Sequence, residues 1–416
     1  MSAISPESLI TESLESGDYY KNPYPLFAEL RANNPIHFSN TIGGWVLTRY
    51  REVDLVLRDH ENYSSKGRVT HLLNQLSSEA QAKIKLLHAH FAIGLAHSDA
   101  PEHRRIRSLL AQSFTPKIID SLRPEITTQA QSLVAKLEGD VDLIAELLTP
   151  LPALIVGKLL GSKPTDLPNL ILWAHAVNGL YERGGKISEE KALHAEAMLR
   201  EMRDFVLELV SERRALKQAD KLESADVLSN LVIQEEQSLT DQELLSTVVT
   251  LFVAGHETTT HLLGNGILAL LLRQHVLNEA RKDETKIPLI VEEMARFDGS
   301  VPRSWRLAKS DLELSGVQIK KGDLVLPILA AANRDPEVFE DPDKFDLHRE
   351  NKRHLAYGKG VHVCLGAPLA RLEAQELLKA LFQRFSHIEL NADAQSLEWR
   401  KDLALRGLLS LPVRLN

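Results

Sequence analysis

The longest regular pattern in the chain opens at Thr240-Asp-Gln-Glu243 and runs to about Arg273. Thr240 and Glu243 have the spacing at which a hydroxyl and a carboxylate cap each other's backbone amides and start a helix. Apolar residues then fall on every side, with Gly-His-Glu-Thr-Thr-Thr-His set into the middle. Such a helix would span about 50 Å at ~1.5 Å per residue. A helix buried all round with a polar break in its middle serves something bound at that break. A second long helical period follows Ser188, which reads as an N-cap, and the preceding YERGGKIS predicts a mobile connection. Residues 36–50 alternate around Gly43-Gly44 as a β-hairpin, and residues 311–327 repeat that style with turns at Ser315-Gly316 and Lys321-Gly322. Most of the rest is helical, with no repeat, low-complexity tract or Gly/Ser linker. The pattern predicts a mainly α protein with small β-sheets, folded as one large domain.

Composition changes this picture little. With 416 residues, 44% hydrophobic and 25% charged, the chain is an ordinary globular protein with a large core. A net charge of -8 argues against general nucleic-acid binding. The single cysteine cannot form an internal disulfide and fits a reducing compartment. The first twenty residues are acidic and polar, unlike a signal peptide or anchor. The apolar run from Val248 to Leu272 carries two histidines and a glutamate, which would be costly at a bilayer centre. No membrane span and a cytoplasmic location are expected.

That lone cysteine stands in GKGVHVCLG, residues 358–366. The next stretch has helical spacing, with Pro368 suited to a first turn. Cys364 would thus precede a helix N-terminus, where backbone amides favour a thiolate. Gly358, Gly360 and Gly366 let the backbone turn tightly and approach a flat ligand. A buried, inert thiol is the commonest fate of a free cysteine, but a glycine-rich loop entering a helix argues against it. Zinc lacks a second cysteine. A Cys–His nucleophile is the better rival, and a thiolate ligating the metal of a planar cofactor fits the glycines best.

Tyr357 through Gly366 resembles the haem-binding loop of the cytochromes P450, in which the cysteine is the axial iron ligand. The family usually has phenylalanine where this chain has Tyr357. AGHETT, residues 254–259, resembles the family's oxygen-activation motif, with Glu257 and Thr258 as its acid–alcohol pair and Ala254 against the cofactor. The same letters suggest a zincin, but His256 and His261 would lie about 140° apart around the helix, off any common face. EEMAR holds Glu293 and Arg296 at i,i+3, on its own a weak signal of a solvated ion pair. By resemblance the two join Arg349 in a buried cluster supporting the cysteine loop. His103 and Arg107 share a helix face expected after Pro101, and with Arg306 and His362 they would hold the propionates of haem b.

The resemblance covers the chain from about residue 22, leaving 1–21 as an N-terminal extension and 22–416 as the haem domain. It implies a single mainly α domain with its long central helix over the haem. The activity implied is insertion of one atom of O2 into a small hydrophobic substrate, the other becoming water. No flavin or NAD module is present, so electrons would come from a ferredoxin and ferredoxin reductase. Lys352, Arg353, Lys359 and Arg371 are candidates for a basic docking face. Residues 64–96, 170–190, Val253, Ala254 and Val301-Pro302 are expected to line the substrate pocket. A peroxide-driven peroxygenase and a non-catalytic haem protein are the competing readings; retention of Glu257 and Thr258 speaks against both.

Overall fold

The structure, a computed structural model, describes residues 5–180, 186–223, 226–234 and 239–416. Residues 181–185, most of the expected mobile connection and part of the expected pocket wall, lie outside the described residues. The chain forms two compact units. The first comprises Met1–Tyr63, Leu122–Leu151 and Thr258–Asn416, and the second Ser64–Ser121 and Pro152–Glu257. The architecture is mainly helical with small sheets, as the pattern of the chain predicts.

In the first unit, residues 5–21 contribute side chains to the core. Ser5 caps the helix Pro6–Ser16 by accepting from the Ser8 amide at 3.1 Å, and Gly17 ends it in the left-handed region. Ile10, Leu14, Tyr19 and Tyr20 then pack with Phe27, Leu326 and Leu403. The buried Arg406 completes the anchor: it donates to the carbonyls of Tyr20 and Lys21 and pairs with Asp298 at 2.6 Å. The expected hairpin forms from Ile36–Ser39 and Gly44–Leu47, with Ile36 opposite Leu47. Leu312–Leu314 and Val317–Ile319 pair across Ser315 and Gly316, both at positive φ. The following strand, Leu324–Pro327, does not continue that ribbon. It lies parallel to Gly44–Leu47 and antiparallel to Arg306–Ala308, so one sheet joins distant parts of the chain. The helix after the cysteine, Ala367–Arg384, packs against Arg123–Val134 and Ile287–Asp298.

In the second unit, Glu102–Ala111 begins directly after Pro101. Leu167–Asn178 packs on Glu189–Gln218, whose cap is Ser188, accepting from the Lys191 amide. The long helix runs Asp241–Leu271 over 31 residues, and the division between units falls within it, between Glu257 and Thr258. Its start is the reciprocal box the sequence predicts. The Glu243 amide donates to Thr240 Oγ1 at 3.2 Å, and the Thr240 amide to Glu243 Oε2 at 2.9 Å. Every residue from Thr259 to Leu271 is buried, whereas Ala254 is exposed and Leu251, Gly255 and Thr258 are partly so. Those four positions lie along one helix face. Among the described residues, no helix is long and apolar enough to cross a membrane.

Candidate functional site

The cysteine loop is closed by its own backbone. The Gly358 amide donates to the Leu355 carbonyl at 2.8 Å, Val363 to Gly360 at 3.2 Å, and Cys364 to Tyr357 at 2.8 Å. Gly360 is forced: it has φ 70°, and a Cβ there would lie 2.5 Å from the Leu57 carbonyl oxygen. Gly366 is different. Its φ of -82° suits any residue, and a Cβ would meet no atom within 4 Å. Neither backbone nor packing within the chain demands glycine here, so its bareness leaves room for a flat partner. Cys364 is exposed, three residues ahead of the helix Ala367–Arg384, and follows Val361 and Val363, which are 37% and 39% exposed. A thiol in an apolar, glycine-edged cradle fits an apolar planar group. Among the described residues no cluster of three or more acidic, histidine or cysteine side chains could hold a metal ion. A lone exposed thiol suits one position on a metal that carries its other ligands with it, as a porphyrin does.

Behind the loop lie two ion networks built on neighbouring glutamates of Ile287–Asp298. Glu293 receives Arg296 bidentately, Nε at 2.8 Å and a terminal nitrogen at 2.7 Å, and Arg349 Nε at 3.4 Å. All three side chains are buried. Arg296 also donates to the carbonyls of Asn333, Pro342 and Lys344, and Arg349 to those of Glu340, Asp341 and Lys344. The structure thus brings Glu293, Arg296 and Arg349 together, with loop backbone as their other partner.

Glu292 forms a second network that the sequence did not reveal. Arg371 Nε donates to it at 2.5 Å, and His354 Nε2 lies at 3.1 Å. Burial pushes the Glu292 carboxyl up, but the hydrogen bonds from His354 and Arg371 outweigh it and hold the group down at about 2. The Arg371 guanidinium also stacks over Tyr357, 4.2 Å from the ring centroid. Arg371, partly exposed, thus has its charge matched by Glu292 and its plane by an aromatic ring. The Tyr357 hydroxyl is buried without a hydrogen-bond partner among the described residues. Burial pushes this phenol well above its ordinary range.

On the long helix, Glu257 is buried and meets His175 of Leu167–Asn178, Nε2 to Oε1 at 3.3 Å. The His175 ring lies over His256 with 5.9 Å between centroids and 17° between planes. This contact too was not legible beforehand, since 82 positions separate residues 175 and 257. Thr258 is partly exposed, while Thr260 is buried and donates to the Leu148 carbonyl at 2.9 Å. Of the four expected propionate partners, His103 is buried and Arg107 partly exposed on Glu102–Ala111 in the second unit. In the first unit, Arg306 is buried on its strand and donates to the Trp305 carbonyl, and His362 ends the turn Gly360–His362.

The Cytochrome P450 family profile matches residues 187–409. The chain is 34% identical over 415 residues to "Polyketide biosynthesis cytochrome P450 PksS" of Bacillus subtilis, covering 96% of this chain and 97% of that protein. It is 33% identical over 408 residues to 6-deoxyerythronolide B hydroxylase of Saccharopolyspora erythraea, covering 97% and 98%. Among solved structures it superposes on P450BioI in complex with an acyl carrier protein ligated to hexadec-9Z-enoic acid. That match has a TM-score of 0.85 at 30% identity and covers 96% of this chain and all of that one.

Proposed function

The chain belongs to the cytochrome P450 family and is a monooxygenase of small organic molecules, and we propose that Cys364 is the axial thiolate of its haem. Family membership implies haem, which when bound supplies O2 activation and delivery of one oxygen atom. The observation that carries the assignment is the cysteine loop, with Cys364 exposed after two exposed valines and open space at Gly366.

The other roles follow on the same reading. Haem b is held by Tyr357, Gly358 and Gly366 of the loop and by Ala254, whose small side chain keeps the helix face flat. His103, Arg107, Arg306 and His362 supply donors for its propionates. Glu293, Arg296 and Arg349 hold the loop in shape from behind. Thr258 orients a water with its hydroxyl, and Glu257 provides the proton that this water passes on. Electrons come from a ferredoxin and its reductase, which dock through Lys352, Arg353 and Lys359 without Arg371. The substrate is lipophilic and of polyketide or steroid size. Its relatives include PksS and 6-deoxyerythronolide B hydroxylase, and CYP109E1 has been solved with testosterone.

Reduced, haem-loaded protein under carbon monoxide is expected to give the red-shifted Soret band of thiolate ligation, and Cys364→Ala to lose it. A variant that keeps the band would overturn the assignment. A panel containing testosterone, hexadec-9-enoic acid and 6-deoxyerythronolide B, read by the shift of the resting Soret band, then narrows the substrate.

A further inference from the structure

Within the second unit, one end of the helix Leu167–Asn178 is fastened to one turn of the long helix. Asn178 Nδ2 donates to the Val253 carbonyl at 3.3 Å, and His175 Nε2 lies 3.3 Å from Glu257 Oε1. Glu257 is almost wholly enclosed, its side chain 2% exposed, whereas that of His175 is 51% exposed. Stacking on His256, which is itself fully buried, fixes the plane of the His175 ring. An imidazole with one side on a buried carboxylate and the other in water is the arrangement through which a proton crosses from solvent to an enclosed acid. Of the amino-acid side chains, imidazole is the one that both gains and gives a proton near neutrality with little driving force.

We propose that His175 is the positioning and relay residue that recharges Glu257 with protons from solvent. The imidazolium gives its Nε2 proton to Glu257 Oε1 and is left neutral with its hydrogen on Nδ1, the carboxyl passes a proton onward, and the half-exposed ring turns over to take a proton from solvent at Nε2 before it swings back. Each cycle moves one proton from water to Glu257 and leaves His175 as it began. The inference rests on the monooxygenase reading above, because it requires that Glu257 be a proton donor in turnover.

The first test reads the contact without turnover. In the 15N-labelled holoenzyme, the His175 ring resonances should move when Glu257→Gln removes the carboxylate; unmoved resonances would sink the proposal. The second test uses whichever panel compound shifts the Soret band most. His175→Phe keeps the stacked ring and removes the proton carrier, and His175→Gln serves if that variant folds poorly. Product per reducing equivalent should fall at least about tenfold, the lower reach of a general-acid contribution for a group one step from the reacting atoms, while peroxide rises. The solvent deuterium effect on product formation should grow. Asn178→Ala loosens the same helix end without touching the relay. If it alone reproduces the uncoupling, or if His175→Phe keeps the unmodified yield and isotope effect, His175 is only a clamp. Failure of the cysteine assignment would be separately visible, as loss of the thiolate band in the unmodified protein.

Discussion

Glu292 and Glu293 are adjacent on one helix and nevertheless run opposite kinds of network. Glu293 is sealed in, with Arg296, Arg349 and the Asp346 amide filling its oxygens, and both arginines reach on to loop carbonyls. Glu292 is partly open; its partners His354 and Arg371 are side chains, and one of them stacks on Tyr357, seven residues before the cysteine. The first network fixes backbone, so removing a member leaves buried charge and unsatisfied carbonyls. The second fixes side chains around the cysteine loop and can lose a member to solvent at smaller cost. Two identical carboxyls, one residue apart, differ because a helix turns by about 100° per residue and presents them to different neighbours.

The comparison breaks first at Arg296. Arg296→Ala removes the bidentate partner of Glu293, leaving it Arg349 and the Asp346 amide, and strips the Asn333 and Pro342 carbonyls of their donor; it is expected to cost about 3–5 kcal/mol and to yield little haem-loaded protein. Full haem occupancy with unchanged thermal denaturation would reduce the sealed network to an incidental ion pair.

A milder perturbation separates the two glutamates by acid. The Glu292 carboxyl lies near 2 in the folded protein against an ordinary value of 4.5. A depressed folded value means that its stabilisation is complete above about 4.5 and drains away as the pH falls towards about 2. Urea unfolding across that window should show a steeper loss of stability in the unmodified protein than in Glu292→Gln. Parallel slopes would mean that the carboxylate is not held by its partners.

The smallest effect has the opposite sign. A buried hydroxyl lacking a partner costs about 1–3 kcal/mol, and the Tyr357 hydroxyl is in that position. Tyr357→Phe should therefore raise stability by about 1 kcal/mol, at the low end because the ring and its stacking on Arg371 persist. A loss of stability in thermal melts would show that the hydroxyl serves the loop.

What could be read from the chain was whatever is local. The Thr240–Glu243 box, the turn at Ser315-Gly316, the cap at Ser188 and the glycine-edged cysteine are set by residues within a few positions of one another. Glu293 and Arg296 were visible because a helix makes i,i+3 neighbours. The hydrogen bond from Arg371 to Glu292 and the ion-pair contact of His175 with Glu257 span 79 and 82 positions, and no periodicity announces such a pair. Arg371 shows the reason: among lysines and arginines near an exposed loop, a charge matched from a distant helix looks like any other. The stretch before residue 22 precedes the motifs that carry the resemblance, and no local signal marks its four inward-facing residues, Ile10, Leu14, Tyr19 and Tyr20.

Arg406 gives those first helices a timetable. Its guanidinium binds the carbonyls of Tyr20 and Lys21 and the carboxylate of Asp298, so these two early residues are fastened by one 386 and 385 positions later. Domains generally fold as units while synthesis proceeds at roughly 5–20 residues per second. The second unit has all its sequence once residue 257 has been made, whereas the first lacks its anchor until residue 406. The helices Pro6–Ser16 and Asp18–Lys21 thus cannot take their final anchor until a residue 385 positions beyond Lys21 has been made.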